Sequence, residues 1–160
     1  AHIRLVMLED DIDRLLPLAH ISLSEPPAEK AAAIEFLLDL IADNGRVTDR
    51  AAAMDALRER EKEATTGVGM GIGIPHAKTS AVDEPSVAFA RSSEGIDFYA
   101  MDDKPARLLF MILVPAEGGE EHLQILSALS RALMHEDVRE TLLEAEDAET
   151  VQETVREAVN

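Results

Sequence analysis

A chain of 160 residues with 46% hydrophobic residues can bury a real core, and with only 3% aromatics that core must be filled by aliphatic side chains. The 32 acidic residues outweigh 15 basic ones for a formal net charge of −17, a surface that repels nucleic-acid phosphates and argues against DNA or RNA as a partner. No Cys is present, which excludes disulfides, thiolate metal sites and a cysteine nucleophile within these residues. No apolar run approaches the ~18–20 residues of a spanning helix and no signal-peptide pattern opens the sequence. The expectation is a soluble cytoplasmic protein without direct membrane insertion. Two explanations of the charge stand side by side: attraction of a basic partner surface, or a salty host cytoplasm in which acidic side chains maintain solubility.

In chain order, residues 8–18 (LEDDIDRLLPL) read as a short helix or turn stopped by Pro17, and HISLS at 20–24 alternates like a short strand. The apolar spacing over 28–42 predicts a helix ended by Asn44-Gly45, and Thr48 or Asp49 caps a second helix running to about Lys62. Residues 86–92 (SVAFARS) read as a strand, and RLLFMILV at 107–114 reads as a fully buried one between Pro105 and Pro115. Gly118-Gly119 leads into a helix with Glu120 and Glu121 in its first turn, and further helices follow at 136–145 and 148–159. Helices on both sides of a few strands predict one α/β domain over residues 1–160, a three-layer α/β/α sandwich with a small mixed β-sheet.

Between these elements lies TTGVGMGIGIPHAK, residues 65–78, with glycines at 67, 69, 71 and 73. It matches neither a dinucleotide-binding fingerprint nor a P-loop. Read as one extended segment, it puts its glycines on a single bare face that another backbone or a ligand can approach, with Ile72 and Ile74 packed on the other side. Pro75 then interrupts pairing and fixes the backbone before His76. A glycine-rich bend that merely precedes a surface histidine explains the spacing equally well.

Neutral imidazole is a good nucleophile near physiological pH, so His76 suits phosphoryl transfer if donors surround the phosphoryl oxygens. Candidates for those roles are His122, on the first turn of its helix above the stripe Leu126, Leu129 and Leu133, and Arg60, next to the glycine run. Each has an ordinary explanation too, His122 as a helix-end residue and Arg60 as a C-terminal helix cation. His135 reads as a solvated helix-end residue, and His20 and His2 have no evident partners. No HxH, HExxH or HxxxH spacing occurs and no GxSxG elbow, so neither a metal centre nor a serine hydrolase is expected.

These residues converge on a family. REKEATTGVGMGIGIPHAK resembles the active-site signature of fructose/mannitol-type enzyme IIA domains of the sugar phosphotransferase system, which include nitrogen-regulatory relatives. EEHLQILSALSRAL is similar to the family's HLxxLxxL helix, and GIDFYAMDDKPARLLFMILVP to its G-hydrophobic-x-[FW] segment. Together with the helix pair at 28–62, the resemblance spans about residues 8–158. The resemblance implies an α/β/α fold and a phosphocarrier, with His76 phosphorylated, His122 beside it as auxiliary histidine and Arg60 as active-site arginine. It further implies phospho-HPr as donor and a cysteine on a IIB domain or IIBC permease as acceptor, with no cofactor, in uptake of a sugar such as fructose. Thr66 and Gly67 are candidates for further contact with the phosphoryl oxygens. Gly73 stands where the family usually has Ala, which is expected to loosen the segment. The regulatory alternative keeps His76 and changes only the partner.

Overall fold

The computed structural model describes residues 11–117 and 120–159, and within them the side chains of Glu121 and His122 are not described. His2, Gly118-Gly119 and the first residues of the 8–18 segment therefore lie outside the described residues. A one-turn helix α1 (Ile12–Leu15) and a 3-10 turn (Leu18–His20) precede two helices, α2 (Lys30–Asp43) and α3 (Arg50–Glu63). Short strands β1 (Gly67–Gly69), β2 (Ile72–Gly73) and β3 (His76–Thr79) follow, then long strands β4 (Ser86–Ile96) and β5 (Ala106–Pro115). Helices α4 (Glu121–Leu133), α5 (Glu136–Glu144) and α6 (Ala148–Ala158) complete the order.

Local chemistry accounts for the element ends. The α2 stripe Ala33, Ile34, Leu37, Leu38 and Ile41 is buried, and the helix stops at Asn44 because Gly45 takes φ +76°. The Asp49 carboxylate starts α3 by accepting the Ala52 N–H at 3.1 Å, and Asp147 caps α6 in the same way on Thr150. The predicted strand at 20–24 does not form. Ile21 alone bridges Phe89, because the chain reaches that position through the 3-10 turn and leaves again toward Pro26-Pro27.

β5 is the centre of a five-stranded mixed sheet. β4 lies antiparallel along one edge, while β2 and β3 follow each other in parallel along the opposite edge. Their register with β5 is unbroken, Gly73 opposite Leu109 and His76 opposite Ile112. Only Ile74-Pro75 leaves the ladder: Pro75 has no N–H, although its carbonyl still accepts the Ile112 N–H at 3.0 Å. From Leu108 to Val114 every β5 side chain is at most 1% exposed, so the apolar run is covered on both faces, as its sequence predicts.

Alternate β5 residues serve different layers. Leu108, Phe110, Ile112 and Val114 join Ile72 and Ile74 under α4, α5 and α6, whereas Leu109, Met111 and Leu113 meet α2 and α3. This is the expected three-layer sandwich. Each fully buried Leu, Ile or Phe contributes about 1.5–3 kcal/mol, so the two apolar layers hold β5 rigidly in place. Among the described residues no helix is long and apolar enough to cross a membrane.

Candidate functional site

The glycine run is a hairpin rather than one extended segment. β1 and β2 pair antiparallel, Gly67 opposite Gly73, around a turn in which Gly69, Met70 and Gly71 take φ values of +88°, +57° and +77°. The glycines therefore do not share a bare face open to a partner. Gly69 and Gly71 supply the turn's backbone, while Gly67 and Gly73 make room for Phe98, whose side-chain atoms would lie 2.8 and 3.2 Å from their added Cβ atoms. Gly73 is thus closely packed rather than loose. Ile72 and Ile74 are buried at 2% and 1% exposure, and they fasten the hairpin to the core.

His76 begins β3, an edge strand paired only with β5 among the described strands. Directly opposed residues share a face, so its side chain leaves the sheet on the Ile112 side, the side covered by α4. The half-buried ring donates its Nδ1–H to the Ile74 carbonyl at 2.7 Å. A carbonyl only accepts, so that contact fixes the tautomer and leaves the lone pair on Nε2. Burial holds the imidazole's proton affinity below the ordinary value, and the positive charge of Arg60 acts in the same direction. The Ile74 carbonyl and the Glu61 carboxylate oppose them. The ring is neutral near pH 7 and presents a nucleophilic nitrogen.

Arg60 lies in the last turn of α3 and donates from Nη1 to the Ala64 carbonyl at 3.0 Å. Thr66 is buried at 2% exposure, and both its hydroxyl and its N–H (3.3 Å) donate to the Glu61 carboxylate. The Gly67 N–H goes to Thr65 Oγ1 at 3.0 Å. The Thr66 hydroxyl and N–H and the Gly67 N–H are thus all engaged within the chain. His122 is on the first turn of α4, which follows β5 after residues 116–120 on the face that His76 shares; its side chain is not described.

Glu61 is the residue that sequence reasoning passed over. It stands beside Arg60 in the quoted signature, but its partners, Thr66 and Lys30, become visible only in three dimensions. His20, without an evident partner in the sequence, has two: Val87 O at 2.9 Å from Nδ1 and Asn44 Nδ2 at 3.0 Å from Nε2. His135 precedes α5 as its exposed N-cap residue and makes no side-chain capping bond.

Residues 14–158 match the family described as "Phosphoenolpyruvate-dependent sugar phosphotransferase system, EIIA 2". A fructose-specific EIIA component of the phosphotransferase system from Haloferax volcanii is 74% identical over 149 residues, covering 93% of this chain and 97% of the relative. The crystal structure of the nitrogen regulatory protein IIA-Ntr from Neisseria meningitidis superposes with a TM-score of 0.83 at 34% identity, over 90% of this chain and 98% of that one. The mannitol IIA of Escherichia coli, solved as a complex with phosphorylated mannitol IIB, gives 0.75 at 29% identity over 88% and 98%. With a family match across nearly its whole length, the chain belongs to the EIIA 2 family of the sugar phosphotransferase system and is a phosphohistidine carrier of that system.

Proposed function

We propose that His76 is the phosphorylated residue, that it takes the group from phospho-HPr, and that it passes it to a cysteine of a IIB domain or IIBC permease. The single observation that carries the assignment is the placement of the ring on an edge strand, its Nδ1–H held by Ile74 and its Nε2 left without a partner among the described residues. In the first step the Nε2 lone pair attacks phosphorus in line, the N–P bond of the donor phosphohistidine breaks, and its electron pair returns to the donor imidazole. Nδ1 keeps its proton throughout, and the Ile74 carbonyl steadies the positive charge that develops on the ring. In the second step an incoming thiolate attacks phosphorus and Nε2 leaves with the N–P electron pair. This chain contains no Cys, so the thiol comes from another chain or segment.

Arg60 and His122 are assigned to the charge on the phosphoryl oxygens. Thr66 and Gly67 are assigned to framing the site rather than to touching the group. Fructose is the proposed sugar, supported by the 74% identity to a fructose-specific component, and the cytoplasm is the proposed compartment. The regulatory reading, in which the phosphorylation state of His76 controls binding to target proteins, draws on the likeness to IIA-Ntr at 34% identity and is the weaker of the two.

The test is intact mass after incubation with phosphoenolpyruvate, enzyme I and HPr from the same host. One acid-labile phosphoryl adduct is expected, and after the donor system is removed it should disappear on addition of an unphosphorylated IIB domain, which gains the group. No adduct on the unmodified chain, or one that survives His76→Ala, would overturn the mechanism.

A further inference from the structure

The Lys30–Glu61 ion pair lies at one end of a series of contacts that finishes on the imidazole of His76. Lys30 is the first residue of α2, and its Nζ is 2.6 Å from Glu61 Oε2, with the two side chains only 19% and 13% exposed. The same ammonium stands over the rings of Phe98 and Tyr99, at 5.2 and 5.5 Å from their centroids. The Glu61 carboxylate accepts the N–H and the hydroxyl of Thr66. The Thr66 carbonyl in turn accepts the Ile74 N–H at 2.9 Å, and the Ile74 carbonyl accepts the Nδ1–H of His76 at 2.7 Å.

Each contact removes freedom from the segment that leads into His76. Pro75 has no N–H to give β5, and the Ile74 N–H turns the other way, so Thr66 supplies the partner on the hairpin side of the Ile74 peptide. Thr66, following the extended Ala64, is fixed by Glu61. Stability alone is a poor reason to keep such a pair, because two desolvated charges seldom gain more than apolar residues of similar volume. Correct placement of a carbonyl against a reactive ring is a better one. We infer that Glu61, held by Lys30, is a positioning residue for the phosphoryl-transfer reaction, acting through Thr66 and Ile74 to fix the tautomer and orientation of His76. The carboxylate also counterweights Arg60, since the two charges push the ring's proton affinity in opposite directions.

This inference rests on His76 being the phosphoryl acceptor, but its first readout does not. The ring nitrogens of His76 are observed by long-range 15N–1H correlation in the unphosphorylated full chain, unmodified and as Glu61→Ala, Glu61→Gln and Thr66→Val. The unmodified chain should show a single Nδ1–H tautomer, Glu61→Ala a mixture of both, and Glu61→Gln, whose amide oxygen still accepts from Thr66, should restore most of the first. In labelling by phospho-HPr, the displaced ring of Glu61→Ala should lower the maximal rate about tenfold with KM within about twofold. A folded Glu61→Ala chain with an unchanged tautomer and rate overturns the proposal. If that variant does not fold, the near-isosteric Thr66→Val decides: a mixed tautomer supports the proposal and an unmixed one at the unmodified rate overturns it. Absence of any adduct on the unmodified chain would instead refute the phosphocarrier assignment of His76, leaving the tautomer result to stand by itself.

Discussion

His20 and His76 sit in different regions of the molecule and are held by the same first contact. Each gives its Nδ1–H to a backbone carbonyl, Val87 for His20 and Ile74 for His76, and burial is the main force lowering the proton affinity of both. They differ at the second nitrogen. His20 is 0% exposed and its Nε2 accepts from Asn44, so the ring joins the 3-10 turn, the end of α2 and β4 into one clasp. His76 is half-buried on an edge strand, and its Nε2 has no partner among the described residues. Neither a depressed pKa nor a fixed tautomer therefore distinguishes a reactive histidine here. What sets His76 apart, on its proposed role, is an Nε2 without a partner among the described residues on an edge strand.

The sharpest way to break the comparison is to exchange the losses. His76→Ala should abolish phosphoryl labelling and change stability little, because the ring is only half-buried. His20→Ala should label normally but leave Asn44 and the Val87 carbonyl unpaired beside a new cavity, costing about 2–4 kcal/mol and lowering Tm by roughly 5–15 °C. Intact mass and thermal unfolding measure both. A labelled His76→Ala chain, or an unlabelled but folded His20→Ala chain, would erase the distinction.

A smaller effect concerns pH. Folding lowers the pKa of both rings below the ordinary 6.5, so near and below that value the unfolded chain binds more protons than the folded one. The stability conferred by the neutral rings is fully present above about pH 6.5 and is lost as pH falls through the window down to the folded-state values. For His20 the facing charges are Arg46, which disfavours protonation, and Glu84, which favours it. Unfolding free energy should therefore decline from pH 7.5 to 5.5, a range above the carboxylates' titration, and His20→Gln should flatten that decline more than His76→Gln. Equal slopes in all three chains would show that the buried clasp is not what titrates.

Much of this arrangement is legible in the sequence, and what is not has identifiable causes. The α2 and α3 boundaries follow from apolar spacing, from Gly45 and from the Asp49 cap, all local signals. The buried run of β5 and the helices after it follow in the same way. The hairpin is hidden in the sequence because its turn places Met70, not a turn-forming residue, at φ +57° between two glycines. Alternating glycines also match an extended segment equally well. The partners of His20 are 67 and 24 residues away in sequence, and Glu61 meets Lys30 across two helices, so no periodicity reveals either contact. The candidate His76 is legible through its signature; the Ile74 carbonyl that fixes its tautomer is not.

The smallest expected effects come from the two hairpin glycines that face Phe98, in the segment that leads into His76. An added Cβ at Gly67 would lie 2.8 Å from Phe98 Cβ and 3.1 Å from its carbonyl oxygen, atoms close to a backbone that cannot move aside cheaply. At Gly73 the contacts are 3.2 Å to Leu109 Cδ2 and to the Phe98 ring, which can yield by a few tenths of an ångström. Replacing glycine by alanine where the backbone permits it gains about 0.4–1 kcal/mol by restricting the unfolded chain, enough to offset the milder crowding at Gly73. Gly73→Ala should therefore alter stability by less than about 1 kcal/mol, and Gly67→Ala should lose about 1–3 kcal/mol through overpacking. Chemical denaturation of the two variants orders them. A greater loss in Gly73→Ala would mean that the strand before Ile74 is the stiffer half of the hairpin, and that the Ile74 carbonyl is held by β2 rather than by Thr66 and Glu61.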